Sequence, residues 1–134
     1  MQRSESCPKV RVLVVEDDDR VREVICAMLL RGGCEPVEAA NGLEGMRVLE
    51  AGNVDVVLTD LIMPVQTGFE TIRQVRQLYG DLPIIAMSGL WIDGATQVDE
   101  AQAAGADFTL EKPFRMDALL QAVEALAARR RRRA

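Results

Sequence analysis

Glu16-Asp17, Asp60, Ser88 and Lys112 each close a short apolar run in this 134-residue chain. Carboxylates gathered in a small space are hard oxygen ligands that suit Mg2+ (or Mn2+), and Mg2+ keeps several waters and often bridges to phosphate. A carboxylate is also a nucleophile toward phosphorus once its charge is offset, while an ammonium and a hydroxyl complement phosphoryl oxygens. The set points to phosphoryl chemistry. Taken alone, the run Glu16-Asp17-Asp18-Asp19 serves equally as a cation site or as the acidic start of a helix, where capping and the macrodipole favour Asp. Asp60 ends a different run and brings a further carboxylate, which tips the reading toward a cation.

These groups meet only if the apolar runs are parallel strands of one sheet, whose carboxyl edge is where open α/β sheets bind ligands. Residues 10–15 (VRVLVV, β-branched and nearly continuous), 36–40, 54–59 (VDVVLT), 83–87 (PIIAM) and 108–111 (FTLE) read as strands. Helical spacing separates them. Val21, Val24, Ile25, Met28 and Leu29 form one inner face, stopped by Gly32-Gly33. Leu43, Met46 and Leu49 follow an Asn41-Gly42 turn, and Phe69, Ile72, Val75 and Tyr79 follow Gly68. A polar, Ala-rich helix is expected over 96–104, closed by Gly105, and a last one from about Met116 with Leu119, Leu120, Val123 and Leu126 inside. Five βα alternations predict an α/β domain with helices on both faces of a parallel sheet. The length suits one domain.

Hydrophobic residues make up 49% and charged residues 28%, an ordinary balance for a soluble globular protein. No apolar stretch nears the roughly 20 residues of a membrane span. The polar lead, residues 1–8, lacks the apolar core of a signal peptide, so a cytoplasmic location is expected. Cys7, Cys26 and Cys34 are odd in number and without metal-ligand spacing, which suggests reduced, structural thiols. The chain contains no histidine, which excludes His-activated nucleophiles and most zinc sites. A phosphohistidine donor would therefore have to sit on another molecule. The net charge of −5 hides an asymmetry: arginines 129–133 stand together, and the remainder carries 21 acidic against 11 basic residues. Such an acidic body argues against nucleic-acid binding by the globular part. Residues 129–134 read as a basic tail beyond the last helix, either solvated or in contact with an acidic partner, membrane or nucleic acid.

Four segments in order, VLVVEDD (12–18), TDLIMPVQTG (59–68), PIIAMSG (83–89) and GADFTLEKPF (105–114), resemble the response-regulator receiver domains of two-component signalling. The resemblance covers about residues 9–128 and is nearest the stand-alone, chemotaxis-receiver type. It implies a flavodoxin-like (βα)5 doubly wound fold with strand order 2-1-3-4-5, an order for which a chemotaxis receiver is a known example. It implies Asp60 as phosphoacceptor, Asp17 as a direct Mg2+ ligand with Glu16 acting through water, and the backbone carbonyl of Ile62 as a further ligand. Ser88 falls on the hydroxyl position and Lys112 on the basic one, with a cis Lys112–Pro113 bond. The donor implied is a phosphohistidine on a sensor histidine kinase or a His-phosphotransfer protein. The output expected is altered binding of a downstream protein in trans, and the protein is a signalling phosphoacceptor rather than an enzyme.

Two features depart from the family pattern. Thr109, beside Phe108, stands three positions before Lys112, where many receivers carry an aromatic switch residue. The stretch after Ser88 is about two residues longer than usual and places Leu90, Trp91 and Ile92 together, either as a partner contact or flap over Asp60 or tucked into the core under the fourth helix.

Other phosphate-handling functions fit less well. An aspartate-nucleophile phosphatase of the haloacid dehalogenase type wants a second Asp two residues on, where Ile62 stands. A flavodoxin-like mononucleotide binder wants a Gly/Ser/Thr-rich loop after the first strand, where Glu16, Asp17, Asp18 and Asp19 repel phosphate.

Overall fold

Val12, Leu13, Val14 and Val15 are all fully buried, which leaves strand β1 (Arg11–Val15) no polar face, as befits a strand covered on both sides. In chain order there follow α1 (Asp19–Arg31), β2 (Glu35–Ala39), α2 (Gly42–Ala51), β3 (Val56–Asp60), α3 (Gly68–Tyr79), β4 (Ile84–Ser88), α4 (Gly94–Ala104), β5 (Phe108–Glu111) and α5 (Met116–Arg133). This computed structural model describes residues 9–63, 67–89 and 94–133. The five strands pair in parallel in the order β2-β1-β3-β4-β5, the flavodoxin-like order expected from the sequence.

Strand alternation divides the core in two. Val12, Val14, Val56, Leu58, Ile85, Met87 and Leu110 face α1 and α5 and pack on Ile25, Leu29, Leu119 and Val123. Leu13, Val15, Val57, Ile84 and Ala86 face the other way, onto Leu49, Ile72, Val75 and Ala101 of α2, α3 and α4. Cys26 and Cys34 are buried in the first of these clusters and form no disulfide with each other. Burial pushes the Cys26 thiol up to about 11, so it behaves as an inert apolar group. Cys7 lies outside the described residues. Among those residues no helix is long and apolar enough to cross a membrane.

Element boundaries moved where backbone groups were already committed. β3 begins at Val56, two residues later than expected, because Asn53 takes a positive φ of 69° and Asp55 is tied to Arg11. The Asp55 N–H donates to the Arg11 carbonyl at 2.9 Å, and its carboxylate accepts from the Arg11 N–H at 2.8 Å. β4 begins after Pro83, which has no N–H for the ladder, although its carbonyl accepts from Val57 N at 2.9 Å. The largest difference is at the end of the chain. The arginine run is part of α5, and its first two members are docked on the body. Arg129 reaches Asp107 at 3.1 Å, and Arg130 donates to the Val54 carbonyl at 2.9 Å. Ala and Arg are both good helix formers, so nothing local ends the helix before the run.

The amino edge of the sheet is held by one arginine. Arg76 on α3 donates to the carbonyls of Gly80, Leu82 (3.1 Å) and Gly105 (2.6 Å) and pairs with Asp107 at 2.9 Å. Asp107 in turn accepts from Ile84 N at 2.8 Å, so α3, α4, β4 and β5 share this knot. Arg76→Met keeps much of the stem but leaves those acceptors unpaired. It is expected to lower unfolding stability by about 1–2 kcal/mol, discounted for the partial exposure of the site. Urea denaturation checks this: the midpoint should fall with an unchanged slope.

Candidate phosphorylation site

β1, β3 and β5 end on the same edge, so Glu16, Asp60 and Lys112 arrive there as the next residue, the last residue and the next residue of their strands. By strand parity all three continue the α1/α5-facing rows: Glu16 follows Val12 and Val14, Asp60 follows Val56 and Leu58, and Lys112 follows Leu110. Carboxylate oxygens of Glu16, Asp17 and Asp60 lie within 4.8 Å of one another. Lys112 Nζ sits 2.8 Å from Glu16 Oε1 and 3.3 Å from Asp60 Oδ1. Glu16 is only 2% exposed and Asp60 7%, whereas Asp17 is open to solvent. Three hard oxygen donors, one of them reachable from solvent, fit a hexacoordinate Mg2+ that keeps part of its water.

Local structure explains why Glu16 stays in place. Its N–H continues the β2 ladder to the Ala39 carbonyl at 3.1 Å, and its second carboxylate oxygen accepts from Asp18 N at 3.2 Å. Arg22 on α1 donates to the Glu16 carbonyl at 2.6 Å while pairing with Asp19 (2.6 Å) and Glu38 (3.0 Å). Asp18 is the N-cap of α1, accepting from Arg20 N and Val21 N, which is the helix-start role expected of it. Arg22 was not singled out from the sequence. The only signal for it is a basic residue three positions after Asp19, on the first turn of the helix.

Burial raises the Asp60 carboxyl above the ordinary range, and the Lys112 charge and hydrogen bond only partly offset it. Burial raises Glu16 as well, against the Lys112 hydrogen bond and with the Asp60 charge adding to the rise. For Lys112, burial acts to lower the pKa, but the Glu16 hydrogen bond and the Asp60 and Glu16 charges outweigh it and leave the ammonium raised. Both carboxyls are thus raised chiefly by burial, beside a lysine whose ammonium stays charged.

The remaining expected groups are close at hand. Ser88 ends β4, is 1% exposed, and its carbonyl accepts from Lys112 N at 2.8 Å. Its parity is that of Ile84 and Ala86, so it belongs to the α4-facing row, unlike the three charged groups. The Lys112–Pro113 bond is cis. Ile62 is 51% exposed at the rim. Leu90, Trp91 and Ile92 fall outside the described residues, as does Pro64. Beside Asp60 and Lys112, a groove of about 620 Å3 runs between α1 and the segment after β5, lined by Val21, Val24, Ile25, Met28 and Phe114.

Comparison with known proteins agrees with this geometry. Residues 12–124 match the profile of the response regulator receiver domain. The response regulator MprA of Mycobacterium sp. (strain KMS) is 36% identical over 120 residues, 90% of this chain and 51% of that protein. MprA of Mycobacterium tuberculosis (strain ATCC 25177 / H37Ra) is 35% identical over the same length. The chain thus spans about half the length of these relatives. Among solved structures, the chemotaxis response regulator CheY4 of Vibrio cholerae superposes with a TM-score of 0.80 at 30% identity, covering 89% of this chain and 99% of that one. The Francisella response regulator 1452 receiver domain gives 0.82 at 28% identity, covering 90% and 98%. A receiver domain from Clostridium thermocellum gives 0.87 at 24%, covering 93% and 99%, a likeness of fold. With profile, relatives and fold in agreement, the chain belongs to the response regulator receiver domain family of two-component signalling.

Proposed function

We propose that Asp60 accepts a phosphoryl group from a phosphohistidine, in a reaction that needs Mg2+ (or Mn2+) held by Glu16, Asp17, Asp60 and the Ile62 carbonyl. The observation that carries this reading is the meeting of three carboxylates within 4.8 Å with a lysine ammonium placed on two of them. The cation, when bound, supplies positive charge that relieves the clash between a carboxylate and an anionic phosphoryl group. Asp60 attacks phosphorus with one carboxylate oxygen. A P–O bond forms as the donor's P–N bond breaks, the electron pair leaving with the imidazole. Lys112 neutralises phosphoryl oxygens as they spread charge, and Ser88 offers one hydroxyl hydrogen bond. The sequence holds no histidine, so the donor histidine lies outside it, on a sensor histidine kinase or a His-phosphotransfer protein. The apolar groove along α1 lies directly beside Asp60, where the donor must approach. The signal then leaves as altered binding of a downstream protein.

Incubation with a radiolabelled small acyl phosphate tests the chemistry. Label should enter only with Mg2+, be released by hydroxylamine as an acyl phosphate requires, and vanish in Asp60→Asn. Undiminished labelling of that variant overturns the assignment.

A further inference from the structure

Buried polar groups in native proteins nearly always find partners. Among the described residues, the buried side-chain nitrogen and oxygen atoms without a hydrogen bond are Ser88 Oγ, Thr109 Oγ1, both amide atoms of Gln97, and Arg11 Nε. Arg11 Nε has a carboxylate oxygen of Glu35 at 3.5 Å, so it is not truly isolated. The other four atoms belong to one layer of the fold. Thr109 pairs in register with Ala86, and Ser88 lies two residues beyond Ala86 on the same strand, so both side chains share the α4-facing side of the sheet. Phe108 is on the opposite parity and 45% exposed, which removes it as a contact to α4.

Gln97 comes to this layer from the helix. Gln97, Ala101 and Ala104 are spaced i, i+4, i+7 and all are buried, with Ala101 and Ala104 packed in the cluster that holds Ile84 and Ala86. α4 packs on both β4 and β5. Gln97 is one turn nearer the start of α4 than Ala101, hence about 5–6 Å nearer the carboxyl edge where Ser88 stands. Although α4 also packs on α3 and its end shares the Arg76 knot, its apolar grip is slight among the described residues. Its described buried contacts are two alanines and this glutamine, where α3 buries Ile72 and Val75 and α5 buries Leu119, Val123 and Leu126. A helix with little apolar area holding it is the element that shifts most readily.

We propose that Gln97 and Thr109 form a polar latch between α4 and β5 that closes only when Asp60 is phosphorylated. The latch rests on the phosphorylation reading above and adds to it the route by which the site reaches α4. In the resting state the four atoms lack partners. When Ser88 turns its hydroxyl to the phosphoryl group, α4 settles toward β5, and the Gln97 amide meets Thr109 Oγ1. The amide can donate and accept, and the hydroxyl can do both, so the pair is chemically self-sufficient. Two states of one helix, one with orphaned groups and one without, give phosphorylation something to choose between.

The test uses the whole chain with Mg2+ and beryllium fluoride as a phosphoryl mimic. The Gln97 side-chain amide is followed by 15N NMR, and binding by the rise in Tm. With the latch, the mimic shifts that amide resonance and slows its hydrogen exchange at least tenfold, and Thr109→Val abolishes both changes. Gln97→Leu and Thr109→Val each weaken mimic binding about fivefold, roughly one hydrogen bond, and the double variant weakens it no further. Gln97→Leu should also raise the Tm of the mimic-free protein, because an orphaned amide is replaced by an apolar group of similar size. If the mimic binds and the Gln97 amide is unmoved, the latch is wrong and Asp60 chemistry stands. If the mimic fails to bind, both fall.

Discussion

Gly68→Ala is expected to unfold or severely weaken this domain, with a loss of about 3 kcal/mol or more and no labelling of Asp60. A methyl group at Gly68 would stand 2.0 Å from the Asp60 carbonyl oxygen and 2.6 Å from the Leu61 Cα. Both atoms are backbone and cannot rotate away. The close approach is itself stabilised, because the Gly68 N–H donates to the Leu61 carbonyl at 2.9 Å and Thr67 caps the helix in a reciprocal box with Glu70. Relief of the clash must push the start of α3 off the end of β3, and the end of β3 is Asp60. Circular dichroism melting and acyl-phosphate labelling check the two halves. A variant that melts like the wild type and still labels would contradict this packing.

Asp60→Asn should act on stability in the opposite direction. Asp60 and Glu16 hold their protons more tightly when folded than ordinary carboxyls do, because burial penalises the charged form first. Folding therefore takes up protons. Metal-free stability is complete below about pH 4, the ordinary carboxyl range, and falls as pH rises through the raised values. The raised Lys112 runs over a separate window, its contribution being lost only as pH climbs past the lysine range. Asp60→Asn removes one of the two buried acids, so near pH 7 without Mg2+ it should be more stable than the wild type by about 1 kcal/mol, a few degrees in Tm. The gap should close near pH 4. Excess Mg2+ should also narrow it, by stabilising the wild type through binding to the folded state. Thermal melts across pH with a chelator, then with Mg2+, read out both effects. Equal melts at pH 7 under chelation would mean that Lys112 fully compensates the buried charge.

Most of the site could be read in the chain because its groups are strand ends, and strand ends are set by local apolar runs. VRVLVV and FTLE carry Glu16 and Lys112 to one edge by the same rule that buries Val14 and Leu110. What escaped was held by contacts distant in sequence. Arg22 matters through the Glu16 carbonyl, six residues back, and through Glu38, which only the β2–β1 pairing brings near. Gln97 was hidden in a helix whose buried face is alanine and glutamine, a pattern with almost no hydrophobic period. The arginine run reads as a tail because it has no apolar face, yet Asp107 and the Val54 carbonyl receive its first two members. Thr109 stands out in the sequence only for the aromatic it replaces. Its unpaired hydroxyl required the register of β4 with β5.

The sheet that splits the core also divides the protein's allegiances. The charged cluster and the α1 groove look to one side, and Ser88, Thr109 and α4 look to the other, and the described core residues fall into two separate packing clusters. On the reading proposed above, the surface that would meet the donor and the surface that would carry the signal onward lie on opposite sides of the sheet. Each can drift without rewriting the other, and Asp60, at the rim where the two sides meet, is the point they must both keep.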